Sequence, residues 1–356
     1  MRRALLLGNE ARRRTGPNPW VGCVLLRDGA VVGEGASAAP GGPHAEVVAL
    51  RAAGDRSRGA TAVVTLEPCS HHGRTPPCAD ALVDAGVGRV VAALDDPDPK
   101  VAGSGFARLR QAGIDVEIGV GADEATAALA PYLHHRRTGR ASCVVKTATS
   151  LDGRVGAADG SSRWITGARA RADAHELRAL SQAIVVGAGT AIADSPELTV
   201  RDAEPPPRPP LRVLLDGRGR VPATGPLFDA ALAPTLVCTT DAAAPGAVEA
   251  WGSAGAKVAV LPAAPCGVDL VAVLELLGSE GVLQAMVEGG PTLHGALLRA
   301  GLIDRIVAYV APSVLGATAV PMFGDWTSRT LREAARLEIV DVRRLGDDMR
   351  VELEVC

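Results

Sequence analysis

The sequence predicts an α/β protein of two domains, residues 1–140 and 141–356. Three observations carry that reading. The chain has 356 residues, about twice the usual domain length. Short β-branched runs alternate with helical stretches of about ten residues, an order that builds a three-layer α/β/α sheet. The alternation breaks once, at "HHRRTGRAS" (His134 to Ser142), before a second series begins.

In the first series "RRALLLGNEARR" reads as a helix, and "WVGCVLL" and "AVVGEGA" as a strand pair turned at "RDGA", where Asp-Gly is a hairpin signal. "HAEVVALRAAG" is a helix ending at Gly54, "ATAVVTL" a buried strand, and "PPCADALVDAG" a helix with proline at its start and Gly86 at its end. "RVVAAL", "GFARLRQAG", "IDVEIG" and "ADEATAALAPYLHHRRTG" continue as strand, helix, strand and helix. The second series opens at "CVVKTATSLDG". Its further strands are "AIVVGAG", "LRVLLD", "TLVCTT", "KVAVLP", "LQAMVEGG" and "DRIVAYVAP", with helices between several of them. The end, "RLEIVDVRRLGDDMRVELEV", alternates apolar and polar residues around "GDD" and reads as an antiparallel hairpin. "RDAEPPPRPPLR" (Arg201 to Arg212) is a Pro-rich surface connection within the second domain.

Composition narrows the partners. A net charge of −3 and 3% aromatic content give no basic surplus and few stacking platforms, which argues against a nucleic-acid partner. "EARRR" (Glu10 to Arg14) reads as the solvated end of a helix. No apolar run reaches the ~20 residues of a membrane span, and the four-residue apolar stretch near the N-terminus is too short for a secretory signal. The expectation is a cytoplasmic protein acting on a small molecule. In that reducing setting closely spaced cysteines point to metal or catalysis before disulfide.

"GPHAEVVAL" and "TLEPCSHHGRTPPC" carry the sharpest chemistry. His44 and Glu46 open a helix, Cys69 ends a strand, and Cys78 lies just inside the next helix. A helix N-terminus favours a thiolate, so the expected pKa of Cys78 is low. One histidine and two thiolates leave tetrahedral zinc with an open position, the catalytic arrangement, whose water zinc acidifies. A carboxylate two residues from the ligand histidine can move protons beside that water. H-x-E followed by P-C…C is the pattern of zinc-dependent nucleobase deaminases. Eight residues separate the cysteines here, in place of the common two, and the loop can close on one metal if it folds back at Gly73. His71 and His72 are alternative ligands, wall residues or exposed ones.

Taken together, "TGPNPWVGCVLL", "GGPHAEVVALRAAGD", "TLEPCSHHGRTPPC", "DDPDPKVAGSGFARLRQAGI", "TSLDGRV", "SSRWITG", "VVGAGTAIADSPELTVR" and "VEGGPTLHGALLRAGLIDRI" resemble the bifunctional riboflavin-biosynthesis deaminase–reductases. The resemblance runs over nearly the whole chain, and the eight-residue cysteine gap is the family's own. It implies a cytidine-deaminase-like N-terminal domain and a dihydrofolate-reductase-like C-terminal domain, using Zn2+ and NADPH, in a homo-oligomer. It implies deamination of a diaminopyrimidinone ribosylamino phosphate, then reduction of the ribosyl group to ribityl. A paralogue acting on a related pyrimidine, or a nucleoside or nucleic-acid deaminase with an unrelated C-terminal domain, is the alternative.

By the same resemblance His44, Cys69 and Cys78 are zinc ligands and Glu46 the proton shuttle. Asn18 contacts the pyrimidine, unless it is only a turn residue before Pro19, and His71 and Arg74 belong to the substrate wall. In the second domain Ser162, Arg178, Leu198, Arg201 and Glu288 fall on substrate positions, two arginines suiting a phosphate. Ala148, Trp164, Thr190 and Asp194 fall on NADPH positions, together with Gly290, Pro291, Thr292, Leu293, His294, Gly295 and Ala296, where glycines precede a helix N-terminus. Lys146, Asp152 and Glu288 are expected to line the reductase cleft, although "SLDGR" could be a plain turn. Three departures stand out: Ser37 replaces a usual histidine, Arg74 a common lysine, and Gly16 a serine or threonine.

Overall fold

The computed structural model describes residues 1–73, 75–265 and 267–355, and the chain divides into two units between Gly139 and Arg140. The first unit runs α1 (Arg2–Thr15), β1 (Gly22–Arg27), β2 (Ala30–Ala36), α2 (Ala45–Ala53), β3 (Thr61–Val64), α3 (Cys78–Asp84), β4 (Arg89–Ala92), α4 (Ser104–Gln111), β5 (Asp115–Ile118) and α5 (Ala122–Thr138). Its five strands are ordered β2-β1-β3-β4-β5, antiparallel from β2 to β3 and parallel from β3 to β5. The β1–β2 turn is built as Asp-Gly predicts. Asp28 and Gly29 both have positive φ (52° and 77°), the two-residue turn whose twist matches the strands.

The glycines of "GEGA" have a packing reason. A Cβ on Gly33 would lie 2.3 Å from the Ala49 carbonyl oxygen, and one on Gly35 2.2 Å from that of Ala45. Helix α2 therefore lies flush on β2, which fixes where His44 and Glu46 sit. The end of "EARRR" is less solvated than its charge suggests, because the Arg12 guanidinium stacks 4.6 Å from the Trp20 ring centroid.

The second unit contains β6 (Ser142–Ser150), β7 (Arg154–Gly156), α6 (Ala168–Ala179), β8 (Ala183–Gly187), α7 (Ala188–Asp194), β9 (Leu211–Leu215), β10 (Thr235–Thr239), α8 (Pro245–Ser253), β11 (Lys257–Val260), β12 (Ala263–Ala264), β13 (Gly267–Val268), α9 (Leu270–Ser279), β14 (Gln284–Gly289), α10 (Pro291–Arg299), β15 (Arg305–Ala311), β16 (Val320–Pro321), β17 (Leu337–Leu345) and β18 (Asp348–Val355). Nine strands form one sheet in the order β11-β10-β9-β8-β14-β6-β15-β18-β17, parallel up to β15. The terminal hairpin adds antiparallel at that edge.

The strands of this sheet read as unbroken apolar runs because both faces are buried. Ala183, Val185, Val213 and Leu236 face a core under α9 and α10, built with Leu274, Leu277 and Leu297. Their neighbours Ile184, Val186, Leu214 and Val237 face a second core that holds Trp251. The strand ends are thus pinned from both sides, and polar side chains collect where the parallel strands end. Among the described residues no helix is long and apolar enough to cross a membrane.

Candidate functional site

In the first unit His44 at the start of α2, Cys69 in the loop five residues past the end of β3 rather than at a strand end, and Cys78 at the start of α3 converge, their ligand atoms all within 4.8 Å of one another. His44 is the N-cap of α2, and its Nδ1 lies 3.5 Å from Cys69 Sγ and 3.2 Å from Cys78 Sγ. The other ring nitrogen, Nε2, lies 3.5 Å from Thr75 Oγ1. A histidine nitrogen and two sulfurs make a donor set that suits zinc. Among the described residues no other group of histidine, cysteine or acidic side chains meets in this way.

The two sulfurs are not equivalent. Sequence reasoning placed the low pKa on Cys78, at the start of α3. The structure reverses this. The Cys78 amide points at Cys69 Sγ, 3.4 Å away, so the helix end serves the other thiol. Hydrogen bonds from Cys78 and His44 hold the Cys69 thiol down at about 4. Cys78 moves up, because its S–H donates a hydrogen bond to Cys69, it is fully buried and it faces Glu46. Between them the pair holds one proton, which a metal would displace. Glu46 is 3% exposed, and burial together with the Cys69 charge pushes its carboxyl up to about 7. A bound cation acts in the opposite direction.

Glu67, two residues before Cys69, was not singled out from the sequence. Its buried carboxylate accepts backbone N–H bonds from Asp96 (3.3 Å), Gly103 (3.0 Å), Gly105 (2.9 Å) and Phe106 (3.2 Å). It caps α4 and holds the "DDPDPKVAGSG" loop against the segment that carries Cys69. Ser70 and Ser104 hydroxyls, 2.6 Å apart, close the same seam. The only local signal was an acid inside an apolar strand end.

The remaining first-unit candidates spread out. His71 and His72 are exposed and outside the ligand group. Arg74 lies outside the described residues. Asn18 has a clear turn role, its N–H donating to the Thr15 carbonyl at 2.9 Å. Ser37 is buried, and its hydroxyl accepts the Val21 N–H at 3.1 Å, so it ties β2 to the start of β1.

In the second unit a cleft of about 990 Å³ opens at the ends of β6, β8 and β14. Ala148, Trp164, Thr190 and Asp194 line it, as do Ser162, Arg178, Leu198, Arg201 and Glu288. From the "GGPTLHGA" turn Gly290, Pro291, Thr292, Leu293, His294 and Ala296 line it as well. Gly295 does not. It packs on Gly324, whose carbonyl oxygen would stand 1.8 Å from a Cβ there. Leu198 has φ +53° and its side chain belongs to the second core, so it turns backbone toward the cleft. Asp152 is likewise outside the lining. Its carboxylate accepts bonds from Ser150 Oγ (2.6 Å) and the amides of Leu315 and Gly316 (3.1 and 2.8 Å), which hold it down at about 2. "SLDGR" is a turn clamp.

The polar centre of the cleft is Glu288, at the end of β14. The guanidinium of Arg178 forks onto it, Nε to Oε1 and Nη2 to Oε2, the latter at 2.8 Å. Burial alone would raise the Glu288 carboxyl, but the charges of Arg178 and Lys146 hold it at about 2. Burial also lowers the Lys146 ammonium, against the pull of Glu288. The lining fits a dinucleotide. A Cβ on Gly189 would meet no atom within 4 Å, leaving open space by the chain there. His294 Nε2 is buried with no partner among the described residues. Arg163, Arg171 and His175 also line this region and were missed. Arg171, His175 and Arg178 are spaced i, i+4, i+7 on α6, a polar helical face that "RADAHELR" displays in the sequence.

Comparisons with known proteins cover both units. The family described as "RibD C-terminal domain" matches residues 141–351, and "Cytidine and deoxycytidylate deaminase zinc-binding region" matches residues 1–94. The riboflavin biosynthesis protein RibD of Chlamydia pneumoniae is 43% identical, over 100% of this chain and 94% of that protein. RibD of Escherichia coli is 42% identical, over 99% of this chain and 98% of its own length. The solved RibD structure from Acinetobacter baumannii superposes with a TM-score of 0.88 at 39% identity, covering 100% of this chain and 97% of that one. A Thermotoga maritima structure titled diaminohydroxyphosphoribosylaminopyrimidine deaminase/5-amino-6-(5-phosphoribosylamino)uracil reductase gives 0.87 at 31% identity, with the same coverage. The chain belongs to the RibD family, and is a bifunctional enzyme of riboflavin biosynthesis in which a zinc-dependent deaminase is joined to an NADPH-dependent reductase.

Proposed function

We propose that the first unit removes the 2-amino group of 2,5-diamino-6-ribosylamino-4-pyrimidinone 5′-phosphate. The second unit then reduces the ribosyl group of the resulting aminouracil to ribityl. The observation that carries the first half is the meeting of His44, Cys69 and Cys78 beside the buried Glu46. The Thermotoga relative is named for both activities.

His44 Nδ1 and the sulfurs of Cys69 and Cys78 hold the ion, and zinc when bound supplies an acidified water. Glu46, within hydrogen-bond reach of Cys78, takes a proton from the attacking water, passes it to a ring nitrogen and then assists the leaving amine. Its burial keeps bulk water from competing for that proton. Asn18 offers the amide that pairs with the edge of the pyrimidine.

In the second unit NADPH when bound supplies hydride, which the sugar C1′ receives in the open-chain imine form. Gly290 to His294 and Ala296, with Ala148, Trp164, Thr190 and Asp194, line the cleft and would hold the cofactor. Arg178 and Arg201 hold the substrate phosphate. Glu288 stays ionised near neutrality and has no proton to give. Lys146, its ammonium pKa lowered by burial, is the group that protonates the imine nitrogen. Asp152 is occupied in its turn and takes no part.

Coupled turnover tests the scheme. The diaminopyrimidinone phosphate and NADPH, supplied to zinc-loaded protein, should yield one ammonia and one oxidised NADPH per substrate. Ammonia release without NADPH oxidation would overturn the second half. Neither product from a folded, zinc-loaded protein would overturn both.

We further infer a cytoplasmic homo-oligomer. The outer strand β17 exposes Ile339 (63%), Val340 (46%) and Val342 (53%), an apolar edge that a second copy could cover. The described cysteines are free thiols, as a reducing compartment requires. Light scattering should give at least twice the 36.3 kDa of one chain, and a monomer mass would overturn the oligomer.

A further inference from the structure

Beside the reductase cleft lies a side chamber of about 390 Å³ that shares Lys146, Trp164, Arg178 and Arg201 with it. His175 forms part of its wall and is 8% exposed. The backbone N–H of Arg201 donates to His175 Nδ1 at 3.0 Å. That bond fixes the imidazole. Nδ1 is the acceptor, so a neutral ring carries its proton on Nε2, and a doubly protonated ring would set two N–H groups against each other. Among the described residues Nε2 has no hydrogen-bond partner, so Nε2–H is a donor left open in a chamber with three arginines, Arg171, Arg178 and Arg201.

The surroundings keep the ring neutral. Burial is the largest influence, followed by the cations Arg178 and Arg201, and these outweigh Glu288 and Asp202 to put its pKa at about 4. Lys146 and Arg171 add positive charge to the same wall. A neutral N–H among cations suits a ligand that brings several acceptor oxygens and negative charge. The arginines supply the charge, and His175 supplies direction and holds the Arg201 backbone in place.

We propose that His175 is a phosphate-contact residue of the reductase site, donating Nε2–H to the substrate's 5′-phosphate between Arg178 and Arg201. This rests on reading the cleft as the reductase site.

Two substitutions separate the two ring nitrogens. In His175→Asn the side-chain oxygen can replace Nδ1 as acceptor for Arg201, and the Nε2 donor is lost. In His175→Gln an amide N–H returns near the Nε2 position. The full-length zinc-loaded protein is titrated with ribose 5-phosphate by calorimetry, and KM and kcat are measured with the aminouracil phosphate. For His175→Asn the Kd for ribose 5-phosphate and the KM should both rise about tenfold, as for a lost hydrogen bond to a charged group. Its kcat and its NADPH Kd should stay put, and His175→Gln should recover most of the binding. In the wild type, ribose 5-phosphate binding should not weaken as pH rises through 6.5, because the donor is already neutral.

Arg201→Met is the control for the cleft itself. If it weakens ribose 5-phosphate binding while His175→Asn does not, this inference fails and the reading of the cleft stands. If neither changes, the reading of the cleft fails as well. If NADPH affinity drops in His175→Asn and phosphate binding does not, the chamber belongs to the cofactor and the inference is overturned.

Discussion

Glu46→Gln should lower deamination by about 10³-fold, the contribution expected of a positioned acid–base group. Zinc content and NADPH-dependent reduction should remain at wild-type level. The substitution keeps the volume of a side chain that is 3% exposed, so no cavity opens and α2 stays seated on β2. The amide cannot accept the water's proton or return it to the ring. The proposed zinc ligands are His44, Cys69 and Cys78, and the glutamine keeps a side-chain oxygen that can still accept from the Cys78 thiol. Metal analysis and ammonia release on the same preparation separate the two functions. Loss of zinc along with activity would recast Glu46 as a support for the metal, and near-wild-type ammonia release would remove it from the mechanism.

The second large effect is expected at Glu288. In Glu288→Gln the forked carboxylate is gone, and the guanidinium of Arg178 and the ammonium of Lys146 face each other without a counter-charge. Removing one partner of a largely buried pair costs about 3 kcal/mol or more, which for a unit of this size is a fall in Tm of roughly 10 °C. Reduction should fall by about 10²-fold through misplacement of the reacting groups, with deamination unchanged. The pH dependence has a definite sign. The folded carboxyl is held at about 2, well below its unfolded value. Its stabilising contribution is therefore complete above the unfolded pKa of about 4.3 and is lost as pH falls toward 2. The gap in Tm between wild type and Glu288→Gln should be full at pH 7 and narrow by pH 3. A pH-independent gap, or no gap, would show that the pair is not what holds this site.

Much of the fold could be read along the chain, because the signals are local. Alternating apolar runs and helical stretches mark the strands and helices, and Asp28-Gly29, Gly54 and the "GDD" turn punctuate them. The candidate metal group of His44, Cys69 and Cys78 was legible for a similar reason. Their chemical types are rare, and their order and spacing around one strand–helix junction leave few other readings. The α6 face of Arg171, His175 and Arg178 is equally visible in "RADAHELR", spaced i, i+4, i+7.

What stayed hidden depends on partners far along the chain. The amides that Glu67 binds lie 29 to 39 residues away, so nothing beside it announces the role. Asp152 looked like a cleft residue until the amides of Leu315 and Gly316 claimed it. Gly295 looked like part of a phosphate loop until Gly324 was found against it.

The sequence alone determined the two α/β units and marked out the His44, Cys69 and Cys78 group with Glu46 beside it, because periodicity, residue type and spacing are properties of the chain itself. Only the tertiary structure decided which sulfur of the pair receives the α3 amide, which acids face the second-unit cleft and which nitrogen of His175 accepts the Arg201 N–H. Those outcomes follow from burial and from the direction of hydrogen bonds. Both are set by neighbours in space, and residues distant in sequence supply them.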